Sequence, residues 1–401
     1  MTRRLMTRLA ALAVLLIVLT FAGNRALHAA GSTFIGFPCP SNALVPHTNF
    51  TCVMQGLDGA RGLAFGPEGA LYVAEAGHGG DGPPCSIQSG LQVCYGPTGA
   101  ITRLWGDVQE RVLTGLPSLA TNLVAKGQAA NGPTDIAFAA GDEQSDDGSA
   151  SGDAPGVWST YITIGLRNNP DIRDTDLAPV GRGFAQLLRV APNGKVRSIA
   201  DLGDYEKETN PDGGPFDTNP FGLLVEPGSR LVVDSGANAL VRVQGNGRGH
   251  ISTVATFESR AQGRPTDAVP TSVAVGPDGA YYVSELTGIP FATWNARIYR
   301  MTPGGAPALY LDGFKMIVDI AFDADWNLYV LQYATLLNTA TDNTIFGRSG
   351  VLTKVAPDGT RTNVLTGLRT PTSVAVGPDG FVYVSNRGNF PAVGEVVQVA
   401  P

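Results

Sequence analysis

Hydrophobic and polar residues alternate along this chain in short runs, and one ten-residue run occurs twice. Residues 270–279 and residues 371–380 are both PTSVAVGPDG. Alternation over a few residues predicts a half-buried strand, and the Gly-Pro-Asp-Gly that follows predicts a tight turn into a second strand. Weaker copies of the same pattern begin at Ala60, Pro133, Pro220 and Ile317. The pattern therefore predicts six strand–turn–strand units.

A second pair of strand-like runs follows every unit except the last. These runs cover residues 99–116, 183–202, 239–257, 296–314 and 350–368. Four antiparallel strands that recur about every fifty residues are typical of a β-propeller. The sixth unit ends after its third strand, and Thr51–Leu57 resembles the missing fourth strand. We therefore predict an all-β, six-bladed propeller over residues 51–401, closed by an N-terminal strand that joins the C-terminal blade.

The first thirty residues have a different pattern. Three arginines within residues 1–8 precede the apolar run Leu9–Ala22, which is too short to span a bilayer comfortably. Small residues follow at Ala29 and Ala30. We predict a secretory signal peptide over residues 1–30, cleaved near Ala29 or Ala30, with an uncleaved anchor as the alternative. Residues 31–50 are then an N-terminal arm, and the protein is secreted or extracytoplasmic.

Charge narrows the range of partners. The leader contains four of the 28 basic residues and no acid, so the rest of the chain carries 24 basic against 35 acidic residues, a net charge of −11. Such a chain does not suit a phosphate backbone, and nucleic acid is not an expected partner. No later run is apolar and long enough to cross a membrane, so we expect no membrane span after signal cleavage.

All four cysteines lie in the first quarter of the chain, at Cys39, Cys52, Cys85 and Cys94. An even number of cysteines in an exported chain predicts disulfides. A zinc site is a poor alternative, because no C-x-x-C occurs and histidine is scarce. Three connectivities are possible. We favour Cys85–Cys94, which closes one loop, and Cys39–Cys52, which ties down the N-terminal arm.

Several segments resemble one known family. They are 61–85 (RGLAFGPEGALYVAEAGHGGDGPPC), 93–103, 210–225 (NPDGGPFDTNPFGLLV), 268–288 and 394–399. Single repeats such as 231–243 (LVVDSGANALVRV) resemble the NHL type, and residues 50–401 as a whole resemble the ScyD/ScyE family, named for genes beside the cyanobacterial scytonemin pathway. The resemblance implies an exported six-bladed propeller and no particular reaction.

A first ring of candidate ligand positions lies near the start of the inner strands. From blade 1 to blade 6 it comprises Gly62, Asp135, Gly222, Ser272, Asp319 and Ser373. Blades 2 and 5 are opposite each other in a six-fold ring, so Asp135 and Asp319 are expected to face each other across the channel. Together they would hold a polar ligand or a hard cation. The alternative is that each aspartate caps backbone amides.

A second ring of candidate positions ends the second strands. It comprises Glu75, Gly165, Asp234, Glu285, Gln332 and Asn386. One hypothesis is that Glu75, Asp234 and Glu285 form an acidic channel mouth for a cationic or hydroxylated ligand. The alternative is that these carboxylates bond the backbone that follows them.

Two loops carry further candidates. His78 lies in a glycine-rich loop beside Asp81 and could act as a base or a ligand, although a single loop histidine is often only solvated. Asp217 and Asn219, in the loop Asn210–Asn219, are expected to project over the channel mouth, or else to form an ordered turn.

Six-bladed lactonase- and gluconolactonase-like hydrolases hold a metal with residues that start the inner strands. Here that column comprises Arg61, Thr134, Phe221, Thr271, Val318 and Thr372, none of which is a good metal ligand. We therefore assign no metal, no cofactor and no catalytic residue. The predicted function is a monomeric binding or scaffold protein that holds a small molecule, a polysaccharide or a protein at the channel mouth. The alternative is a propeller hydrolase or lyase with a channel metal, using Asp135, Asp319 and His78.

Overall fold

The computed structural model describes residues 50–123, 125–140, 158–245, 250–259, 266–289, 291, 295–336 and 348–401. These residues all belong to one compact unit. The predicted signal peptide and the arm up to residue 49 lie outside them, as do residues 141–157. Within the described residues, no helix combines the length and the apolar character that a membrane crossing requires.

The described strands form six antiparallel sheets arranged as the blades of a propeller, which confirms the predicted fold. The first strand, β1 (Phe50–Leu57), belongs to the last blade. Blade 1 contains β2 (Ala60–Phe65), β3 (Leu71–Glu75), β4 (Cys85–Gln88), β5 (Leu91–Trp105) and β6 (Val108–Thr121). Blade 2 contains β7 (Pro133–Ala140), β8 (Trp158–Ile164), β9 (Gln186–Val190) and β10 (Val196–Asp201).

The other four blades repeat the same four-stranded order. Blade 3 contains β11 (Pro220–Glu226), β12 (Ser229–Asp234), β13 (Ala239–Gln244) and β14 (His250–Thr256). Blade 4 contains β15 (Pro270–Val275), β16 (Tyr281–Glu285), β17 (Ala296–Met301) and β18 (Ala308–Phe314). Blade 5 contains β19 (Ile317–Phe322), β20 (Leu328–Gln332), β21 (Gly350–Val355) and β22 (Arg361–Leu368). Blade 6 contains β23 (Ser373–Val376), β24 (Val382–Asn386) and β25 (Gly394–Val399), with β1 outermost.

The two ends of the propeller domain meet in blade 6. β1 pairs antiparallel with β25, with Phe50 opposite Val399 and Thr51 opposite Gln398. This confirms the prediction that an N-terminal strand completes the C-terminal blade. The pairing removes an exposed strand edge from β25 and joins the first and last parts of the ring.

The insert of blade 1 contains the predicted disulfide. β4 pairs with the first part of β5 so that Cys85 lies directly opposite Cys94, and the two are bonded. The prediction for this pair is therefore confirmed. Cys52 is also disulfide-bonded, while Cys39, the other half of the second predicted bridge, lies outside the described residues.

Blade 2 carries short helices that the repeat pattern does not predict. They are two 3-10 helices, Pro170–Arg173 and Gly181–Gly183, and the helix α1 (Leu202–Thr209). Arg173 is fully buried among them, and its guanidinium donates to Asp201 and Asp204, each at 2.7 Å. These charge-assisted bonds join the 3-10 segment to the start of α1.

Neighbouring blades are joined near the axis by a repeated threonine contact. The hydroxyls of Thr134, Thr271 and Thr372 donate to the carbonyl oxygens of Pro220, Ile317 and Ala60, at 2.8, 3.0 and 2.7 Å. Each bond runs from an even-numbered blade to the next one, so blades 2, 4 and 6 carry the donor. The threonine of the PTSVAVGPDG repeat therefore connects blades.

The aspartate of the same repeat anchors the turn at the other end of the hairpin. Asp379 accepts a hydrogen bond from the Tyr383 hydroxyl at 2.7 Å, and Asp278 accepts one from Tyr282 at 3.3 Å. Both tyrosines lie on the second strand of their blade and are buried. The duplicated sequence is thus explained by two structural requirements, one at each end of the inner hairpin.

Ring closure gives a first testable prediction. Met54 on β1 is 0% exposed, whereas its neighbour Gln55 is exposed. We expect Met54→Ala to lower the free energy of unfolding by about 2–5 kcal/mol because it leaves a cavity in the closing strand. Gln55→Ala, the control, should change it by less than about 0.5 kcal/mol. Equal effects of the two substitutions in chemical denaturation would show that β1 does not stabilise the ring.

Candidate functional site

A pocket lies on the ring axis and receives residues from all six blades. Its volume is about 290 Å³. The residues that open the inner strands line it: Arg61, Thr134, Phe221, Thr271, Val318 and Thr372. This is the column that contains no good metal ligand. Loop residues complete the wall, and we call the whole cavity the axial pocket.

Arg61 contributes a buried cation to the axial pocket. Its guanidinium donates to the carbonyl oxygen of Ala130 at 2.8 Å, to that of Ala60 at 3.2 Å, and to that of Gly388. Burial lowers the pKa of Arg61 to about 10, so the side chain remains charged at neutral pH. Arg61 forms no ion pair with a carboxylate of the described chain. Its charge is therefore solvated by backbone dipoles alone.

Arg167 contributes a second cation, from the loop after β8. The side chain is exposed at the pocket, and within the described chain its guanidinium has neither a hydrogen-bond partner nor an ion pair. Loss of hydration among the surrounding groups lowers its pKa, while the charge of Asp217 acts in the opposite direction. Arg167 is thus a charged fork of donors held at the pocket with no protein acceptor.

Sequence reasoning did not find Arg167, although a signal was present. It lies two residues beyond the second-ring position of its blade. The other five blades have Gly77, Gly236, Thr287, Ala334 and Gly388 at that place. Arg167 is the one large side chain in a column of small residues. Its φ of 55° lies in the left-handed region that a residue with a side chain seldom adopts.

The rest of the pocket combines polar groups with an apolar wall. Asn219 is 9% exposed, and its Oδ1 has no hydrogen-bond partner in the described structure. The Tyr333 hydroxyl accepts a hydrogen bond from Asn389, and burial raises the pKa of Tyr333 to about 12, which keeps the phenol neutral. The apolar part of the wall includes Phe221, Leu286, Met316 and Val318. The sequence prediction placed Asn219 at the channel mouth, and the structure places it in the pocket lining.

Asp319 directly follows the lining residue Val318 on the inner strand of blade 5. Its carboxylate accepts four hydrogen bonds from the protein. It accepts from the hydroxyls of Ser272 and Ser373 at 2.5 and 2.7 Å. It also accepts from the amides of Ile320 and Val374, each at 2.8 Å. Asp319 therefore connects blades 4, 5 and 6, as expected if these aspartates cap backbone amides.

Asp135 has the equivalent position in blade 2. It accepts from its own neighbour Ile136 and from the amide of Leu223 in blade 3, both at 2.8 Å. Burial raises the pKa of Asp135, and the charge of Asp319 raises it further. The charge of Asp319 therefore acts on Asp135, but the oxygens of both carboxylates already accept protein hydrogen bonds. That the two face each other across the channel stays a prediction. A role for either in ligand binding remains a prediction.

Acidic residues of the second ring accept hydrogen bonds from the loops that lead into the inner strands. Glu75 is fully buried and accepts from the Asp58 amide at 2.6 Å and from Arg111 at 2.8 Å. Asp234 is likewise buried and accepts from the Asn219 amide at 2.7 Å. Glu285 is fully buried as well. The structure thus places these three carboxylates inside the blades, where Glu75 and Asp234 each accept from a backbone amide and from a neighbouring side chain, Arg111 and Thr218 respectively.

His78 and Asp217 lie outside the axial pocket. The Nδ1 of His78 is 3.3 Å from Asp58, whereas Asp81 forms an ion pair with Lys126 at 2.7 Å. Asp217 lies in the loop 210–219, and burial raises its pKa to about 7, assisted by the charge of Asp234. His78 therefore does not converge with Asp135 and Asp319.

We also tested whether the residues present suit a metal of the hydrolase type. Across the described ranges, no three His, Cys, Asp or Glu side chains are grouped so that they could hold a metal ion. The lining of the axial pocket offers amide and hydroxyl oxygens but no carboxylate, and its two arginines place positive charge where a cation would bind. The donor set therefore does not suit a channel metal.

Comparisons with known proteins agree with the fold. No protein-family model matches the sequence, and no curated protein matches it. A protein of unknown function from Bacteroides thetaiotaomicron superposes with a TM-score of 0.51 at 10% identity, covering 88% of this chain and 75% of its own. A virginiamycin B lyase from Staphylococcus aureus (TM-score 0.42, 12% identity, 86% and 95%) and a calcium-binding regucalcin from Agrobacterium tumefaciens (0.48, 12%, 88% and 92%) are more distant. At these identities the first likeness shows the propeller fold alone.

The network around Asp319 gives a second prediction. Asp319→Ala removes the acceptor of four donors, so we expect it to lower the free energy of unfolding by about 3 kcal/mol or more. Asp325→Ala, at an exposed site on the same blade, is the control. Melting after EDTA treatment and after addition of Ca²⁺ separates the two hypotheses. A rise in wild-type Tm with Ca²⁺ that vanishes in Asp319→Ala would favour the cation site over the purely structural role.

A third prediction concerns Glu206 on α1, which is 1% exposed. Burial, with the charges of Asp234, Asp212 and Asp217, raises its pKa from 4.5 to about 7. The folded state therefore binds this proton more tightly than the unfolded state, and the free energy of unfolding should fall as pH rises from about 4.5 to about 7.

Glu206→Gln should remove part of this fall in the free energy of unfolding. The variant should therefore be more stable than wild type at pH 8 and equal to it at pH 4. Glu208→Gln, on the exposed side of the same helix, is the control. Urea denaturation between pH 4 and pH 8 measures the difference. Parallel pH profiles for wild type and Glu206→Gln would contradict the prediction.

Proposed function

We propose that this protein is an exported, NHL-like propeller of the ScyD/ScyE type that binds a small molecule in the axial pocket. One observation carries the proposal: the exposed guanidinium of Arg167 lines the axial pocket together with Arg61, and no residue of the described structure hydrogen-bonds it or forms an ion pair with it. A set of charged donors that borders a concave pocket and bonds no protein group is available to a ligand that enters the pocket.

The residues at equivalent positions around the axis differ most from blade to blade where they line the pocket without joining two blades. Thr134, Thr271 and Thr372 are occupied in joining blades 2, 4 and 6 to their neighbours. The equivalent positions in blades 1, 3 and 5 carry an arginine, a phenylalanine and a valine. The chain thus differs from blade to blade where the side chain is free of that bridging contact, as expected of a binding site built on a repeat.

Size favours a small molecule over a polysaccharide or a protein loop. At roughly 30 Å³ for each water, about 290 Å³ corresponds to about ten waters. A ligand on the order of ten to fifteen non-hydrogen atoms fills that volume. One chain completes both the ring and the pocket, so we propose that the protein acts as a monomer.

Binding is favoured over catalysis by the lining itself. The described lining residues include no Asp, Glu, His or Cys to act as a general base, and the hydroxyl of Ser235 in the lining donates to the carbonyl oxygen of Pro270 at 2.6 Å. Proposed export agrees with the Cys85–Cys94 disulfide, because such bonds persist in oxidising compartments. The alternative of a hydrolase or lyase has no comparable support from the site.

Thermal melting with a panel of small acids, bases and neutral molecules tests the proposal. A ligand at a hundred times its Kd stabilises the folded state by about 2.7 kcal/mol, so we expect at least one compound to raise Tm. Leu286→Trp narrows the pocket and should abolish the rise. Leu309→Trp, on the exposed outer edge of blade 4, is the matched control. A rise in Tm that survives Leu286→Trp would place binding elsewhere, and no rise with any compound would overturn the proposed function.

A further inference from the structure

We propose that the ligand of the axial pocket is a small carboxylic acid in its anionic form, with an apolar and preferably aromatic body. Its carboxylate would lie against Arg167, and its body would lie against the apolar wall formed by Phe221, Leu286 and Met316. This inference rests on the proposed small-molecule function and adds the chemical class of the ligand.

The sign of the ligand's charge follows from the two arginines. Arg61 and Arg167 both line the pocket, and no carboxylate is present among the described residues of the lining. Burial lowers the pKa of Arg61, and the charge of Arg167 lowers it further. Two like charges that line one pocket repel, and an anion between them relieves that repulsion.

The geometry of the donors favours a carboxylate over a spherical anion. A guanidinium presents parallel N–H donors that match the two oxygens of a carboxylate. Arg61 uses part of its donor set on the carbonyls of Ala60, Ala130 and Gly388, whereas the donors of Arg167 have no acceptor in the described chain. Arg167 is therefore the primary anchor, and Arg61 adds positive potential while it holds the loops.

The body of the ligand follows from the opposite wall. Phe221 enters from blade 3, Leu286 from blade 4, and Met316 from the approach to blade 5. Burying apolar surface against such a wall contributes roughly 25 cal/mol for each Å². A purely polar acid would leave the apolar wall in contact with water. An acid with an aromatic or branched body would bury that wall and should bind more tightly.

Asp217 provides an additional test, because its replacement should strengthen the binding of an acid rather than weaken it. Its charge acts on Arg167, and its Oδ1 has no hydrogen-bond partner in the described structure. Asp217 therefore competes with an external anion for the attraction of Arg167. Replacing it with asparagine should strengthen the binding of an acid, whereas a residue that itself binds the ligand weakens binding when it is replaced.

The experiment compares indole-3-acetate with indole-3-acetamide, which share shape and size and differ in charge. Isothermal titration of the purified protein at pH 7.5 should show the acid binding about tenfold or more tightly than the amide. In Arg167→Gln this preference should fall below about twofold, and in Arg167→Lys part of it should return, because the charge is kept and the fork is lost. Asp217→Asn should bind the acid several-fold more tightly than wild type does.

Lys195→Gln is the control, because it removes the same charge from an exposed turn of blade 2. Equal affinity for acid and amide in the wild type, or a preference that is unchanged in Arg167→Gln, would overturn the inference. If only neutral or basic compounds bind, and Leu286→Trp blocks them, the proposed function stands and the carboxylate class is wrong. If no compound binds at all, both the proposed function and the carboxylate class are wrong.

Discussion

The structure depends on how the innermost strands of neighbouring blades are joined, because each of these strands lies at the axial edge of its sheet. Its backbone groups on that edge have no further strand with which to pair, and an unpaired buried backbone group is costly. The chain supplies side chains instead. Thr134 takes up the carbonyl of Pro220, and Asp135, the next residue, takes up the amide of Leu223. One dipeptide on blade 2 thereby satisfies both an acceptor and a donor of blade 3.

The same requirement explains where small residues are obligatory. A Cβ on Gly62 would lie 2.6 Å from the Cα of Asp135, and a Cβ on Gly222 would lie 2.6 Å from the carbonyl oxygen of Thr271. Blades 1 and 3 therefore approach the following blade too closely for any side chain at this position. In blades 1 to 3 the bridging residue Asp135 lies between two glycines that leave room, whereas in blades 4 to 6 Ser272 and Ser373 both donate to Asp319. The repeat departs from strict identity for that reason.

The sequence predicted the architecture because the blade is a local unit, and the site proved harder because it is not. Alternation and turn residues define each hairpin within about twenty positions, so the blades, the closing strand and Cys85–Cys94 could be found from the pattern. The acidic residues were visible too, but residue type alone does not tell whether a carboxylate points into the channel or, as with Glu75, back at its own loop. Arg167 lies in a loop, and only the assembled ring brings it beside Arg61.

The position of the pocket has a consequence for how its chemistry can change. The lining of the axial pocket is shared among six blades, each already stabilised by its own sheet and by its bridges to the neighbours, so a substitution at Phe221 or Val318 alters one wall without removing a bridge. The ring also accommodates the unusual backbone of Arg167. A residue with a side chain costs on the order of 1–3 kcal/mol in conformational energy when it adopts the left-handed region. A rigid ring tolerates that cost because the surrounding strands over-determine the loop. No contact within the described chain accounts for a cation at this position, and its place in the lining of the pocket is the physical reason for the proposed ligand.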